Sequence, residues 1–410
     1  MKTKCTFGAA AIGLLLEMST VSAAGVIDSL ADGHVKLDTR LRYEAVSADN
    51  KPEDASALTL STRLGFETGS VKTVSGYIEM LDSRTVFGLD EFSSGDANVK
   101  VKSSDYAVIA DPAITVLNQA YIKAKPITGL TMTGGRQRLI LDNARFVGNV
   151  GWRQNEQTFD ALRVQYKKDS WYADTSFIGR VKGIEPKFNA KADHFLFNAG
   201  YKSKPFSVAA YYYDLDQSSS ADIAFGGATF DHATAGVSFS GKPSIKDIKF
   251  NYALSYATQS VNSLNQVKQD LSVDYFSAEL GFTVVGVNLS AGLEQLGSDN
   301  GQYGFQTPLA TKHAFNGWAD QFLVTPTTGL QDTYIKTAGK VAGVKLLAVY
   351  HQYDAVEGEM DFGSEINLLA AKKFAKKYTL GVKYANFSQG DLDSPKVDTS
   401  KYWLWLAIKL

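Results

Sequence analysis

The sequence predicts an all-β protein: a closed, antiparallel, up-and-down transmembrane β-barrel of eighteen strands, with sixteen to eighteen as the range. Three observations support this fold class. Apolar and polar residues alternate along many segments of about ten residues, which is typical of strands with one apolar and one polar face. The chain has no run of roughly 18 apolar residues that could cross a membrane as a helix. Short and long connections alternate between the segments, as they do in barrels that span a membrane.

The first residues predict export. Lys2 and Lys4 precede an apolar segment at residues 7–16 and then a small-residue cleavage site. This order is typical of a cleaved secretory signal peptide, which we assign to residues 1–23. The single cysteine, Cys5, lies within that peptide, so a chain cut there could form no disulfide.

Residues 24–410 are predicted to form one barrel domain. No Pro-rich or Ser-rich linker divides them, and the formal net charge of the whole chain is only -1. The 23 Phe, 20 Tyr and 5 Trp fall mostly near the ends of predicted strands. That placement is typical of the aromatic girdles of membrane barrels.

The strands follow from period-two alternation. In DIKFNYALSY, residues 247–256, apolar and aromatic side chains occupy every second position, and Lys249 and Asn251 lie on the other face. The same alternation places Arg40 and Arg163 on the polar faces of their strands. In chain order, the strands are predicted at 33–46, 56–68, 72–84, 116–125, 129–138, 158–169, 171–181, 193–203, 205–215, 229–239, 247–259, 270–284, 286–296, 331–341, 343–353, 364–374, 377–388 and 400–410.

The connections predict how the strands are joined. Those after even-numbered strands are short, such as GSV at 69–71 and KPIT at 125–128. Those after odd-numbered strands are mostly longer, and the longest are 85–115, 139–157 and 297–330. This alternation predicts short periplasmic turns and long extracellular loops. A soluble β-sandwich also has alternating strands, but it does not predict eighteen of them in one linker-free domain with loop lengths that alternate in step.

The last segment, KYWLWLAIKL at 401–410, supports the membrane barrel. Its apolar residues alternate up to Leu410. It resembles the terminal strand by which outer-membrane barrels are recognised for insertion, although such strands usually end in Phe or Trp. In lipid a closed barrel pairs every backbone N–H and C=O internally, which an open sheet does not.

A stretch of about thirty residues gathers arginine in a chain of almost neutral charge. Its arginines are Arg136, Arg138, Arg145, Arg153 and Arg163. The first two share the parity of Leu130 and Met132, so a β-bulge at Gly134-Gly135 is predicted to turn them from lipid into the lumen. An arginine facing lipid at mid-depth costs roughly 2–4 kcal/mol, which favours the lumen.

The charge balance of this region predicts an anion path. Between residues 118 and 180, ten Lys and Arg oppose five Asp and Glu, a balance of +5. A concave pore with such a field concentrates anions, and rings of Arg and Lys select them. We therefore predict a pore lined by these five arginines together with Lys123, Arg40 and Arg180. In a second interpretation, Asp142, Glu156 and Asp160 neutralise the arginines and hold loop 139–157 against the barrel wall.

Two blocks resemble the hallmark stretches of the alginate-export family of outer-membrane barrels. They are GGRQRLILDNARFVGNVGWRQNEQTFDALR at 134–163 and TPLATKHAFNGWADQFLVTPTTGLQDTY at 307–334. The resemblance implies a monomeric eighteen-stranded barrel with an electropositive lumen that conducts anionic polysaccharide. It also implies that the five arginines line the pore, with Asp142, Asn143 and Glu156 as their partners.

The second block lies in the longest predicted extracellular loop. Phe315, Trp318 and Phe322 are too apolar for a freely solvated loop tip, so we expect them to fold into or over the pore mouth. Trp318 could stack on a sugar ring or simply pack the loop, and the sequence leaves both roles open.

Motifs of enzyme chemistry are absent from the sequence. The five histidines are scattered, with none at metal-ligand spacing, and no G-x-S-x-G or Walker A pattern occurs. The sequence thus predicts no catalysis, no metal and no cofactor. We expect a passive outer-membrane channel of a Gram-negative bacterium for anionic solutes such as acidic oligo- or polysaccharide, with membrane lipid but no nucleic acid as a further partner.

Two other functions stay open at this point. A general or cation-preferring porin is the first alternative, because five acids also have lumenal parity: Asp38, Glu67, Glu79, Asp174 and Glu294. An outer-membrane barrel enzyme or an adhesin with a closed lumen is the second.

Overall fold

The computed structural model describes residues 23–95, 102–217, 230–246, 248–265 and 267–410. The predicted signal peptide, residues 1–23, lies outside the described residues except for its last alanine.

Eighteen long antiparallel strands, counted over the described residues, build the barrel. They are β1 His34–Ala48, β2 Ala55–Glu67, β3 Val74–Glu91, β4 Ile114–Ala124, β5 Leu130–Gln137, β6 Thr158–Lys168, β7 Trp171–Lys182, β8 Ala190–Lys202, β9 Phe206–Asp216, β10 Phe230–Gly241, β11 Ile248–Leu264, β12 Val267–Val284, β13 Val287–Leu296, β14 Leu330–Val341, β15 Val344–Asp354, β16 Asp361–Phe374, β17 Tyr378–Gln389 and β18 Thr399–Lys409. Each pairs with its neighbours in the chain, so the predicted strands and their order are confirmed.

The barrel closes where its first and last strands meet. β1 pairs with β2 on one side and with β18 on the other, with Asp38 opposite Lys409 and Glu44 opposite Trp403. No strand of the ring is left with a free edge, and this closure is what the hydrocarbon of a membrane requires.

The alternation sorts the two faces of every strand. On β1, Arg42 and Glu44 are 0% and 1% exposed because they point into the lumen. On the other face, Tyr43, Val382 and Leu404 are 36%, 49% and 48% exposed, with no protein to cover them. Apolar side chains without protein cover are expected where a barrel meets acyl chains. Directly opposed residues share a face, so the register assigns each strand residue to the lumen or to the membrane side.

One helix was not predicted from the sequence. Helix α1, Ala23–Ala31, lies beside the turn between β2 and β3, where the Gly69 N–H donates to the Ser29 carbonyl at 2.7 Å. Over the described residues, none of the helices has the length and apolar character needed to traverse a bilayer. A short 3₁₀ helix, Pro186–Phe188, follows β7.

Three two-residue strands complete the secondary structure. Ser244–Ile245 extends β11 at a turn, and Ser298–Asp299 pairs with Tyr303–Gly304 in the loop after β13. Much of the buried apolar core lies inside the barrel, where Leu139 and Phe305 of two long loops are both 0% exposed.

The predicted bulge at Gly134-Gly135 was wrong. β5 pairs with β4 and β6 without a shift of register at the two glycines. The shifts occur instead in the neighbouring pairs, between Glu79 and Met80 and between Asp160 and Ala161. The alternation of β5 therefore continues unbroken to Gln137, and Arg136 stays on the membrane side.

Gly135 tolerates no side chain in this geometry. Its φ is +124°, and an added Cβ would lie 2.3 Å from the Ala120 carbonyl oxygen. We expect Gly135→Ala to lower the free energy of unfolding by about 2 kcal/mol or more, because strained backbone alone costs about 1–3 kcal/mol. Urea unfolding in detergent micelles, followed by tryptophan fluorescence, measures this.

Gly179→Ala is the matched control. Gly179 is also a strand glycine of this region, but its φ is not left-handed and an added Cβ would meet nothing within 4 Å. Equal stability of the two variants would show that the backbone at Gly135 is not constrained as described.

Candidate functional site: a constriction built by two inserted loops

Two long loops enter the lumen and are joined to each other. The first inserted loop is residues 138–157, and the second is residues 297–329. The Gly148 N–H donates to the Leu309 carbonyl at 2.8 Å, and the Thr311 N–H donates to the Ala144 carbonyl at 3.0 Å. The two loops therefore form one layer across the barrel.

Aromatic residues attach this layer to the wall. In the first loop, the Phe146 ring lies 5.1 Å from Tyr211 and 5.2 Å from Tyr275, centroid to centroid. In the second loop, the ring of Phe322 lies 4.6 Å from Tyr353. Phe322, which we expected at the pore mouth, is thus one of the residues that pack the loop against the wall.

Arg145 holds the two loops to β13. Its guanidinium donates to Glu294 at 2.7 Å, to the Thr307 hydroxyl at 3.1 Å and to the Asn316 side chain at 3.0 Å. The Phe315 ring covers it at 4.9 Å. All the polar contacts of this guanidinium are made inside the protein, so Arg145 is a structural arginine.

Arg153 joins the first loop to three carboxylates. It donates to both oxygens of Glu44 at 3.0 and 3.2 Å and to Asp320 at 3.1 Å, and Asp111 lies at 3.4 Å. Burial acts to lower the pKa of Arg153, but these carboxylates outweigh it and raise the pKa above its usual value. Arg42 completes the cluster by pairing with Asp111 and Glu44. Lys401 pairs with Asp320 at 2.9 Å, so over the described residues the cluster contains three bases and three acids.

Arg138 lies just past the end of β5, where the alternation no longer directs it. It donates to Glu156 at 2.6 Å and to Glu79 at 2.9 Å. Burial raises the pKa of Glu156, but Arg138 and Arg63 lower the pKa by more than burial raises it. The net shift is therefore downward. Arg138 and Arg63 line a cavity of about 290 Å³ on the turn side of the loop layer.

Three further predicted bases lie in the lumen. Arg163 donates to Asp174 at 2.9 Å, and the Lys123 Nζ lies 3.6 Å from a Glu67 oxygen. Arg40 donates to the Gln154 side chain at 2.9 Å rather than to a carboxylate.

Arg136 and Arg180 do not reach the lumen. The register sets Asp160 between them, opposite Arg136 on one side and Arg180 on the other. The lumenal residues of β5 and β6 are their neighbours Gln137 and Phe159, which are buried. The prediction that Arg136 and Arg180 line the pore was wrong for two reasons. β5 has no bulge that could turn Arg136 inward, and a register shift between Ile178 and Arg180 turns Arg180 outward.

Some of the predicted acidic partners pair with an arginine side chain and others do not. Glu156 pairs with Arg138 and Asp160 with Arg136, at 2.7 Å. Asp142 pairs with no arginine and accepts from the Tyr172 hydroxyl at 3.2 Å. The Asn143 side chain accepts from the Arg145 N–H at 3.1 Å, which shapes the loop rather than the pore.

Lys383 of β17 is enclosed by aromatic rings. Its Nζ lies 3.6 Å from the Trp318 ring centroid and 4.2 Å from that of Trp152, and 2.6 Å from His313 Nε2. A cation held over tryptophan faces is stabilised by the ring quadrupole. Lys383 therefore joins both inserted loops to the wall. The Trp318 ring packs against Lys383 inside the protein, which is the packing role of the two roles considered above. The sequence places Lys383 on a polar face but does not show which tryptophans surround it.

Apart from Lys123, sequence reasoning also missed a ring of lysines at the turn end of the lumen. By register, nine lysines near the turns face inward, and we call them the turn-end lysines: Lys36, Lys123, Lys167, Lys202, Lys249, Lys340, Lys345, Lys373 and Lys409. Lumenal acids near the turns include Glu67 and Asp38, which pair with turn-end lysines, and Asp174 and Glu279, which pair with Arg163 and Lys336.

Most of the turn-end lysines are not neutralised. Glu67 pairs with Lys36 and Lys123, and Asp38 pairs with Lys409. Within the described ranges, the other six have no ion pair: Lys167, Lys202, Lys249, Lys340, Lys345 and Lys373. The sequence does contain the signal for this ring, since alternation places each lysine on the lumenal face. The ring becomes visible only when the residues at the turn ends of all the strands are compared.

The loop side of the layer holds a second basic cavity. It encloses about 280 Å³ and is lined by Arg153, Lys312, His313, Asp320 and Lys401, among others. Burial and the nearby Arg145 lower the pKa of Lys312 to about 7. Burial lowers the pKa of His313 to about 3, so this imidazole is neutral at ordinary pH. No cluster of three or more His, Cys, Asp or Glu able to hold a metal occurs in the part of the chain that the structure describes.

Comparison with known proteins assigns the family. The model of the family described as Alginate export matches residues 35–295, which is more than half of the chain. The chain belongs to the alginate-export family. No curated protein matches it by sequence.

Several solved structures are similar in fold to this alginate-export chain. Acinetobacter baumannii OccAB4 has a TM-score of 0.70 at 11% identity, over 93% of this chain and 99% of that one. Pseudomonas aeruginosa OpdK with vanillate has 0.69 at 12%, over 93% and 99%. Pseudomonas aeruginosa OccK8 (OprE) has 0.66 at 15%, over 93% and 98%. The likeness to each is one of fold, and the fold and family together place the chain in the outer membrane as a channel protein.

Loss of Arg145 should destabilise the loop layer. Arg145→Met leaves the Glu294 carboxylate buried without its cation, and breaking a buried pair costs about 3–5 kcal/mol. We expect urea unfolding in micelles to show a loss of about 3 kcal/mol, and Arg145→Met with Glu294→Gln to regain part of it. Arg84→Met removes an arginine whose ion pair is exposed and should leave stability unchanged. A stable Arg145→Met protein would contradict the structural role.

Lys312 should make selectivity depend on pH. With its pKa near 7, Lys312 is protonated below that pH and neutral above it. Lowering the pH from 8 to 6 therefore adds positive charge to the loop-side cavity, and we expect the preference for anions to rise. Reversal potentials of single channels in a KCl gradient at both pH values measure this. Lys312→Met should reduce the pH step, with a remainder from Lys396, whose pKa burial lowers to about 8. A step of unchanged size would assign it to groups other than Lys312.

Proposed function

We propose that this protein is a passive outer-membrane channel for anionic solutes, with acidic oligo- or polysaccharide as the substrate class, in a Gram-negative bacterium. The observation that carries the proposal is the ring of turn-end lysines, six of which have no carboxylate partner within the described residues. The arginines of the loop layer contribute less, because nearly all of them are neutralised by acids.

The position of the lysines explains how they would act. Exposed charges at the mouth of a pore remain solvated, so they need no partner, and the low-dielectric wall focuses their field into the lumen. The Debye length at physiological salt is about 8 Å, so neighbouring lysines on a ring reinforce one another over short distances. The local concentration of anions rises at the turn end, and that of cations falls.

Aromatic neighbours favour a sugar over a simple anion. Lys202 lies over the Tyr172 ring at 4.5 Å, and Lys36 lies over Tyr77 at 5.2 Å. Tyr77 is buried, so only the partly exposed Tyr172 ring offers an apolar surface next to a positive charge. An acidic sugar has both complements, a ring face and a carboxylate. OpdK, similar in fold, was crystallised with vanillate, another ring that bears a carboxylate.

The neutral loop layer favours one competing function. Arg138, Arg145 and Arg153 are each paired with carboxylates, so the constriction itself has little net charge. A general porin would have such a constriction. Measurement of selectivity separates the two, because a general porin passes K⁺ and Cl⁻ about equally.

The test is the reversal potential of the channel in a planar bilayer under a KCl gradient. We expect anion preference in the unmodified protein. Changing the six unpaired turn-end lysines to Gln should move the reversal potential to zero or to the cation side. Changing Arg136, Arg138 and Arg163 to Ala should have a smaller effect, because each of these arginines is paired with an acid.

Lys168→Gln with Lys372→Gln is the matched control. Both lysines lie at turn ends but face the membrane, opposite Trp171 and Val344. Cation preference in the unmodified channel would refute the proposal. The absence of any conductance would favour an enzyme or adhesin with a closed lumen.

A further inference from the structure

A row of charged side chains runs along the outside of the barrel. The register sets Arg136 of β5 opposite Asp160 of β6, Asp160 opposite Arg180 of β7, and Arg180 opposite Lys191 of β8. Directly opposed side chains share one face and lie about 4.5–5.5 Å apart. We call these four residues the outer charged row.

The outer charged row faces away from the lumen. Sequence neighbours of its members point inward: Gln137, Phe159, Val181 and Ala190 are all buried. Alternation then directs the row outward, and the side chain of Asp160 is accordingly 36% exposed. The row lies at the loop end of the strands, because β5 ends one residue after Arg136.

The row has an excess of positive charge. Asp160 is held by Arg136 through two hydrogen bonds of 2.7 and 2.9 Å. Arg180 and Lys191 make no ion pair within the described residues. On the same face, Lys182 lies two residues nearer the loop end on β7, and Asp193 lies two residues nearer the turns on β8. Four bases against two acids leave a balance of +2. The surplus bases are therefore free to bind an external anion.

An apolar row lies below, separated on β8 from Lys191 by Asp193. Gly134, Leu162, Phe177 and Phe195 are opposed across the same four strands. Gly134 and Leu162 are two residues from Arg136 and Asp160, a rise of about 7 Å along a strand. The Phe177 and Phe195 rings pack at 5.1 Å. The charged row lies nearer the loop end and the apolar row nearer the middle of the strands. Lipids have the same order, with charged head groups at the membrane surface and acyl chains beneath them.

Energetics fix the depth of the row. Arg or Lys on the lipid face costs about 2–4 kcal/mol at the midplane but about 0–1 kcal/mol near the interface. Arginine also pairs with phosphate through two parallel hydrogen bonds, which gives it an advantage over other bases at such a surface. The row is therefore placed among head groups, where phosphates are the available anions.

We propose that the outer charged row binds the phosphate of an anionic glycolipid in the outer leaflet. Arg180, Lys182 and Lys191 contact the phosphate, and Arg136 keeps Asp160 from repelling it. The acyl chains lie over Leu162, Phe177 and Phe195, and the missing side chain at Gly134 leaves room beside them. The site is outside the pore, so this inference goes beyond the proposed function and does not depend on it.

The test compares lipid binding by native mass spectrometry of the protein in detergent micelles, with bisphosphorylated lipid A as the probe. Arg180→Gln with Lys191→Gln removes two bases and leaves the ion pair of Arg136 and Asp160 intact. A basic residue near a charged membrane surface contributes about fivefold in affinity, so we expect binding about twentyfold weaker in the double variant. Heat modifiability on gels checks that the barrel is folded.

Three controls test whether binding depends on the position of the bases, on the phosphate of the lipid and on the lipid itself. Lys168→Gln with Lys372→Gln also removes two outward-facing bases, but at the turn end, and should bind lipid A as the unmodified protein does. Lipid A stripped of phosphate should bind both proteins equally weakly. Inorganic phosphate at the same concentration should not displace lipid A, and displacement would assign the row to a soluble anion instead. Equal lipid A binding by the double variant and the unmodified protein would overturn the proposal, whatever the channel conducts.

Discussion

The structure depends on one constraint: inside a bilayer, no water is available to satisfy backbone N–H and C=O groups. A ring of strands satisfies them all, and the pairing of β1 with β18 is the step that closes it. Once the ring is closed, each strand has one face toward acyl chains and one toward the lumen. The exposed Leu404 and the buried Arg42, on neighbouring strands, are two consequences of the same closure.

Closure encloses a lumen whose charged side chains have different surroundings in the middle and at the turn end. In the middle, charged side chains are buried between the inserted loops and the wall, and most of them have an oppositely charged partner. Arg153 among Glu44, Asp111 and Asp320 is an example. At the turn end, water remains, and lysines such as Lys202 and Lys345 need no partner. Paired arginines therefore build the layer, and unpaired lysines are available to act on a solute.

The predictable part of the site is the part that depends on local pattern. Arg163 lies in the lumen because period-two alternation holds along β6, and Arg138 lies there because β5 ends just before it. Arg136 was assigned to the wrong face because the prediction needed a bulge, and a bulge is set by pairing with the neighbouring strand. Helix α1 was not predicted because the prediction rests on period-two alternation, which identifies strands and not a nine-residue helix.

The sequence by itself determined which segments are strands, how many there are, and, where the register has no shift, which side chains share a face. These properties repeat every two residues. Tertiary structure alone decided which charges are neutralised. Arg145 meets Glu294, and Arg153 meets Glu44, across separations of 149 and 109 residues. Such pairs form only after the ring closes and the loops fold into it, and no local pattern specifies which carboxylate a loop arginine will reach.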